Sequence, residues 1–302
     1  MTDKALDRDG VIAALAAFIF WGLAPIYFQA MHQVGAWEVM AHRVFWSVPT
    51  LLLFLAIRDG KSMLTKLRLP VKTLAWLLLS ALLISLNWIV FIWAVGNGHI
   101  LDTSLGYFSS PLLSVLMGYV FLKEPLGPVK VLAIIVAAVG TVYLALYLDR
   151  PPWVAITLAL SFSLYGLVRK RLTVGPMKGL LWETLLLLPA ALVFLIWLTL
   201  HGQQQFLQIS WGIDLLMIVS GLITVLPLIW FNVAAQKLPL SILGFFNYLA
   251  PCISFLVAVF MFGETFTFGH AVAFTCIWTA LALVSIEPFH RARQRLRARS
   301  VS

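Results

Sequence analysis

Apolar runs of about 20 residues recur along the chain, broken by short connectors rich in glycine, proline or charge. A helix of about that length crosses a bilayer core. The pattern predicts ten spans, at 11–31, 37–57, 73–96, 101–122, 127–147, 152–171, 179–200, 212–235, 240–262 and 267–287. Gly96-Asn97-Gly98 and Lys237-Leu238-Pro239 divide runs that otherwise read as continuous. Lipid offers the backbone no hydrogen-bond partner, so each span is expected to be helical. The predicted fold class is an all-α membrane protein, with the run after the short charged N-terminus read as a retained first helix.

Composition agrees. The chain of 302 residues is 62% hydrophobic and 11% charged, with mean hydropathy +0.97. A soluble protein of this size could not hide that much apolar surface. The net charge of +9 does not point to nucleic acid, because the basic residues lie in connectors and at the C-terminus with no aromatic-interleaved face. On the ten-span count, 19 of the 21 lysines and arginines fall on one side, Arg150 stands on the other, and Arg43 lies within a span. That asymmetry predicts cytoplasmic termini. Cys252 and Cys276 sit in apolar runs and read as packing residues rather than a disulfide or zinc pair.

One sentence of the sequence occurs twice. TSLGYFSSPLLSVLMGYVFLKE at 103–124 returns as SILGFFNYLAPCISFLVAVFMFGE at 241–264. Gly106 matches Gly244, Pro111 matches Pro251 and Glu124 matches Glu264. Weaker echoes join Phe18 and Trp21-Gly22 to Phe162 and Tyr165-Gly166, and Pro49 to Pro189. Five spans per half is an odd number, so the second half enters the membrane from the opposite side. The expectation is two inverted five-helix repeats, residues 1–148 and 149–287, head-to-foot with a solute chamber between them, and a basic cytoplasmic tail at 288–302. Inverted repeats are a transporter signature, because two like folds of opposite orientation can exchange conformations and expose a central site to each side in turn. Gly106, Pro111, Gly244 and Pro251 are candidate hinge or packing positions.

The chain resembles the drug/metabolite transporter superfamily, with the EamA-type five-plus-five repeat, and especially its RarD subfamily of chloramphenicol-sensitivity permeases. The resemblance is carried by FWGLAPIYF at 20–28, AHRVFWS at 41–47, NWIVFIWAVGNGHILDTSLGYFSSPL at 87–112, YGLVRK at 165–170, WETLLLLP at 182–189 and LGFFNYLAP at 243–251. It implies ten helices, a bacterial inner-membrane location and export of small molecules, without fixing the substrate.

Candidate transport residues are the polar groups inside the spans. Arg43 lies about 9 Å into the second span at 1.5 Å per residue. Placing it there costs about 2.5–3.5 kcal/mol on insertion scales, so it should face a cavity or a partner, or else snorkel outward. His42 precedes it on another face. Glu183 matches Arg43 by sequence, but inversion sends the two to mirrored depths, so each is expected in its own vestibule or with a local partner. Glu183 either carries a coupling proton or pairs with Lys170, Arg171 or Lys178 at the inner interface. Asn87 either lines the cavity or ties helices together. Trp88, Trp93, Tyr107, Tyr165, Asn247 and Tyr248 are further cavity candidates, and an aromatic pocket with few polar groups suits amphipathic or aromatic solutes. Trp37, Trp76, Trp153 and Trp211 sit near span ends, as belt aromatics do. Glu124 and Glu264 close the fourth and ninth spans, where the helix dipole disfavours acids, and are read as a turn signature. Ala133, Ala137 and Gly140 mark the fifth span as close-packed scaffold.

The acids are scattered, the histidines lack metal spacing and no phosphate-binding loop appears. The reading is a secondary transporter, not an enzyme, that needs no cofactor apart from possible proton coupling. Its partners are a small-molecule substrate and the lipid bilayer, with the oligomeric state open.

Overall fold

The computed structural model describes residues 7–60, 68–123, 127–148, 151–238 and 246–299. Among them are ten α-helices: α1 (Arg8–Gln29), α2 (Ala36–Asp59), α3 (Val71–Gly96), α4 (Ile100–Leu122), α5 (Pro128–Tyr147), α6 (Trp153–Lys170), α7 (Pro176–Leu200), α8 (Trp211–Lys237), α9 (Leu249–Leu256) and α10 (Phe268–Arg299). Seven are long and apolar enough to span a membrane: α1 to α5, α7 and α8. The closing turn of α6 carries Arg169 and Lys170, which lowers its hydropathy, and α9 and the apolar part of α10 are shorter.

Two boundaries differ from expectation. The ninth span was predicted over 240–262. Its described part is α9 followed by a π-helical turn, Val257–Met261. Residues 239–245, Gly244 among them, lie outside the described residues. The last span was predicted to end at 287, yet α10 continues to Arg299 as one helix. The segment from Arg291 to Arg299 is built of Arg, Ala, Gln and Leu, all good helix formers.

Connections alternate between the two ends of the bundle. At the end predicted to face outward, the Gly35 amide donates to Gln205 Oε1 at 2.7 Å, and the Glu38 carboxylate accepts from the Gln205 and Phe206 amides at 2.8 and 3.0 Å. Asp214 accepts from the Leu207 amide at 2.7 Å. At the other end Lys237 pairs with Asp7 and Asp9, and Lys178 donates to the Arg68 carbonyl.

The halves do not stand apart as two bundles; they interleave. α1 packs on α8 and α9, α3 on α6 and α7, α4 on α6 and α9, α2 on α7 and α8, and α5 on α10. Each half thus covers apolar faces of the other. Gly106 makes one of these approaches possible: a Cβ there would sit 2.8 Å from the Ala155 carbonyl oxygen and 3.1 Å from its Cα. This glycine therefore serves the α4–α6 seam. In the α5–α10 seam, Ala133 and Ala137 are buried against Ala273 and Ile277, with Gly140 beside Cys276. Outside, α5 shows Ile135, Val139, Val142 and Leu146, and α7 shows Val193, Ile196, Trp197 and Leu200, apolar stripes suited to lipid. Trp37, Trp76, Trp153 and Trp211 are exposed near helix ends.

Pro111 lies inside α4 and lacks an amide hydrogen, which would orphan the Tyr107 carbonyl one turn earlier. Ser110 Oγ donates to that carbonyl at 3.0 Å, and Ser163 of α6 donates to the Ser110 carbonyl at 2.9 Å. The proline is thereby tolerated without an unsatisfied acceptor in the membrane.

Candidate functional site

The main core cluster draws side chains from α1, α2, α3, α4, α6, α7 and α8, with Ala258 of the π-turn. Arg43 enters it from α2. Its Nε donates to Thr224 Oγ1 of α8 at 2.7 Å, and its guanidinium lies 4.0 Å from the Trp88 ring and 5.5 Å from the Phe28 ring. Tyr27 and Tyr107 are its electrostatic neighbours. Both phenols are anchored: Tyr27 donates to the Leu216 carbonyl, and Tyr107 donates to Asn87 Oδ1 at 2.9 Å. Among the described residues no carboxylate lies within ion-pair distance of Arg43. It neither snorkels to the surface nor finds a counter-charge.

Asn87 is a tie rather than a free cavity group. It is 1% exposed. Its Nδ2 donates to the Leu158 carbonyl and to Ser161 Oγ, each at 3.0 Å, while Oδ1 holds Tyr107. One amide therefore joins α3, α4 and α6, and fixes the Tyr107 ring between Phe91 and Phe162.

A second polar group surrounds Glu183 of α7, also 1% exposed. Ser80 Oγ donates to Oε1 at 2.6 Å, Arg169 Nη1 reaches the same oxygen at 3.5 Å, and the Tyr165 hydroxyl approaches Oε2 at 3.5 Å. The expected partners Lys170, Arg171 and Lys178 are replaced by Arg169. Arg171 instead donates to the Phe121 carbonyl and Lys178 to that of Arg68. Helical phase explains the choice, since Arg169 and Tyr165 are four apart and share one face of α6. Arg43 and Glu183 thus serve separate polar groups.

The end predicted to face outward holds a pocket of about 330 Å³ lined by Phe28, Met31, His32, Trp93, Asn97 and Gln205, among others. Trp93 stacks on His99 at 5.5 Å and lies 5.0 Å from Trp153, so it belongs to this vestibule rather than to the Arg43 cage. Phe28 borders both. His42 is buried beside Phe206, ring centroids 4.6 Å apart, and its Nδ1 has no partner. Tyr248 packs against the α4–α5–α10 cluster, and Asn247 is exposed. Sequence reasoning missed Thr224, Phe28 and Tyr27. The first is a hydroxyl within an apolar run, and the other two pass as ordinary packing aromatics.

Glu264 explains half of the repeated sentence. Its Oε1 accepts from the Ile100 amide at 2.6 Å and its Oε2 from the Leu101 amide at 2.8 Å, so it caps the start of α4 instead of facing the end of its own helix. Burial raises its carboxyl above the usual value. The Leu101 and Ile100 amides pull it down, Asp102 adds repulsion and His99 attraction. The preceding residue has φ +65° at Gly263, and Lys123 before Glu124 has φ +56°. The two stretches share a left-handed turn into the acid. Glu124 lies outside the described residues.

Comparison with known proteins places these features in a family. The model of the "EamA-like transporter family" matches residues 8–146 and again 152–286. An "Uncharacterized transporter" of Vibrio cholerae is 42% identical over 98% of both chains. "Protein RarD" of Escherichia coli K12 is 39% identical over 97% of this chain and 99% of its own. A "Chloramphenicol-sensitive protein RarD" of Pseudomonas aeruginosa is 32% identical over 97% and 98%. A solved crystal structure with TM-score 0.60 covers 91% of this chain and 96% of its own at 18% identity, a likeness of fold alone.

Proposed function

The chain belongs to the EamA-like transporter family of the drug/metabolite transporter superfamily and is RarD-like, and from that premise we propose that it is a secondary transporter. It moves small organic solutes across the bacterial inner membrane by alternating access, in the direction of export. The observation that carries this reading is a reciprocity in the packing. Exchange α1 with α6, α2 with α7, α3 with α8, α4 with α9 and α5 with α10. The α1–α8 contact then becomes α6–α3, and α4–α6 becomes α9–α1, while α2–α7, α4–α9 and α5–α10 map onto themselves. Together with two consecutive family matches, this supports inverted repeats divided near residue 148. Each repeat would gate one face of a central site.

The basic residues at the end opposite the vestibule support cytoplasmic termini. The transport pathway would run through Arg43, Trp88 and Tyr107 toward Tyr165 and Glu183. The printed name of the Pseudomonas relative brings amphenicol-type drugs onto the substrate panel beside metabolites. Uptake on the same fold is the second reading, because alternating access runs either way with the gradient.

Reconstitution tests the proposal. Proteoliposomes bearing the full chain are expected to show saturable flux of at least one solute class, altered by an imposed pH gradient if Glu183 carries a coupling proton. A folded protein that passes nothing across a broad panel would overturn the transport reading. Tags at residues 1 and 302 accessible from opposite faces would overturn the inverted topology.

A further inference from the structure

We propose that Arg43 is the anion subsite for a substrate bearing one carboxylate on an apolar body; this rests on the transport reading above. A guanidinium has five N–H donors in a planar fork and stays charged. Here Nε is committed to Thr224. Neither Nη1 nor Nη2 donates to any described residue. The cation is thus held by one hydroxyl and two ring faces, and its outer fork has no hydrogen-bond partner among the described residues. A built ion pair would have engaged that end of the side chain, as Arg169 Nη1 engages Glu183.

The surroundings narrow the ligand. Among the described residues, the titratable groups that act on Arg43 are the neutral phenols of Tyr107 and Tyr27, so no second cation stands beside it. One guanidinium balances one negative charge, and its fork matches a carboxylate in bidentate fashion. A phosphate monoester carries more charge than a lone arginine neutralises. The rest of the cage is aromatic. Trp88 and Phe28 face the guanidinium, and Tyr107, held by Asn87, stands beside it. Such walls suit a planar or aliphatic body, with few polar groups to satisfy. Phe28 also forms part of the outward vestibule wall, so this ring separates the anion subsite from that pocket.

The test uses the full chain in detergent and two matched pairs, 3-phenylpropionate with 3-phenylpropionamide and hexanoate with hexanamide, plus phenyl phosphate. Binding is read by tryptophan fluorescence, with Trp88→Phe identifying the responding ring. Each acid is expected to bind roughly tenfold or more tighter than its amide, the range of one charge-assisted contact. Arg43→Gln is expected to abolish the preference, Arg43→Lys to restore part of it, and phenyl phosphate to bind no better than the acids. Failure of either acid to bind at millimolar concentration, amides binding as well as acids, or a preference surviving Arg43→Gln would each overturn the assignment. Tighter binding of phenyl phosphate would overturn the carboxylate class. The same variants in proteoliposomes separate the two readings. Flux of neutral solutes without acid preference sinks the anion subsite alone, and Arg43-dependent acid binding without any flux sinks the transport reading alone.

Discussion

Replacing Glu264 with alanine removes both acceptors from the first two amides of α4. The Glu264 contacts are 2.6 and 2.8 Å, and both oxygens are used. Two free-standing charge-assisted bonds would contribute about 1.5–3 kcal/mol each. That sum is too large here, because burial raises the carboxyl above its ordinary value, so the charge itself is held at a cost. Two ordinary bonds of about 1 kcal/mol each are the better measure, and the α4 dipole adds a few tenths. A loss of about 2 kcal/mol follows for Glu264→Ala. Glu264→Gln keeps one acceptor and should lose about half as much. At about 2.1 cal/mol/K per residue over 302 residues, 2 kcal/mol lowers the unfolding temperature by about 3 °C. Tryptophan emission or thiol exposure of detergent-purified protein during heating measures it. The pH dependence has a definite sign. A raised carboxyl binds its proton more readily folded than unfolded, so this group's contribution is full below the ordinary value of 4.5 and declines as pH rises through the raised one. Wild type should therefore gain on Glu264→Gln as pH falls toward 4.5, with Asp102 and His99 facing the group in both proteins. Unchanged melting of Glu264→Ala would show that solvent satisfies those amides equally well and that the cap contributes nothing.

Three further outcomes are expected. Asn87→Leu should destabilise by about 2 kcal/mol in thermal unfolding, since three hydrogen bonds between helices are lost together, and transport should fall because Tyr107 loses its anchor; wild-type flux with a destabilised fold would leave Asn87 purely structural. Gly106→Ala drives a methyl to 2.8 Å from the Ala155 carbonyl oxygen and should cost about 1–3 kcal/mol, read as lower expression and melting temperature. A coupling role for Glu183 predicts that Glu183→Gln keeps substrate binding yet makes flux indifferent to an imposed pH gradient, whereas a structural role predicts unfolding on heating with coupling intact.

Much of the architecture was legible because the bilayer imposes length on every span. α2, α3, α4 and α5 begin and end within two residues of their predicted limits. What the pattern does not encode is which distant helices meet. Glu264 looked misplaced at the end of its own span, and only tertiary packing supplies the helix start that it caps. Arg43 stood out as a charge in an apolar run, but its partner Thr224 did not, since that hydroxyl also returns to the Ser220 carbonyl as any helical threonine can. The Arg169–Glu183 pair was within reach: counting four residues from Tyr165 selects Arg169 over Lys170 as the basic residue on the inward face of α6.

The Asn87 knot has a mechanical consequence. It fastens α3 and α4, from the first half, to α6 from the second, while Ser254 of α9 is bound to the Gly22 carbonyl of α1 across the same divide. Helices tied in this way would travel together on the alternating-access reading proposed above. The moving units would then cut across the 1–148 and 149–287 halves instead of following them. A crosslink meant to arrest such motion would belong between those units and not between the two halves.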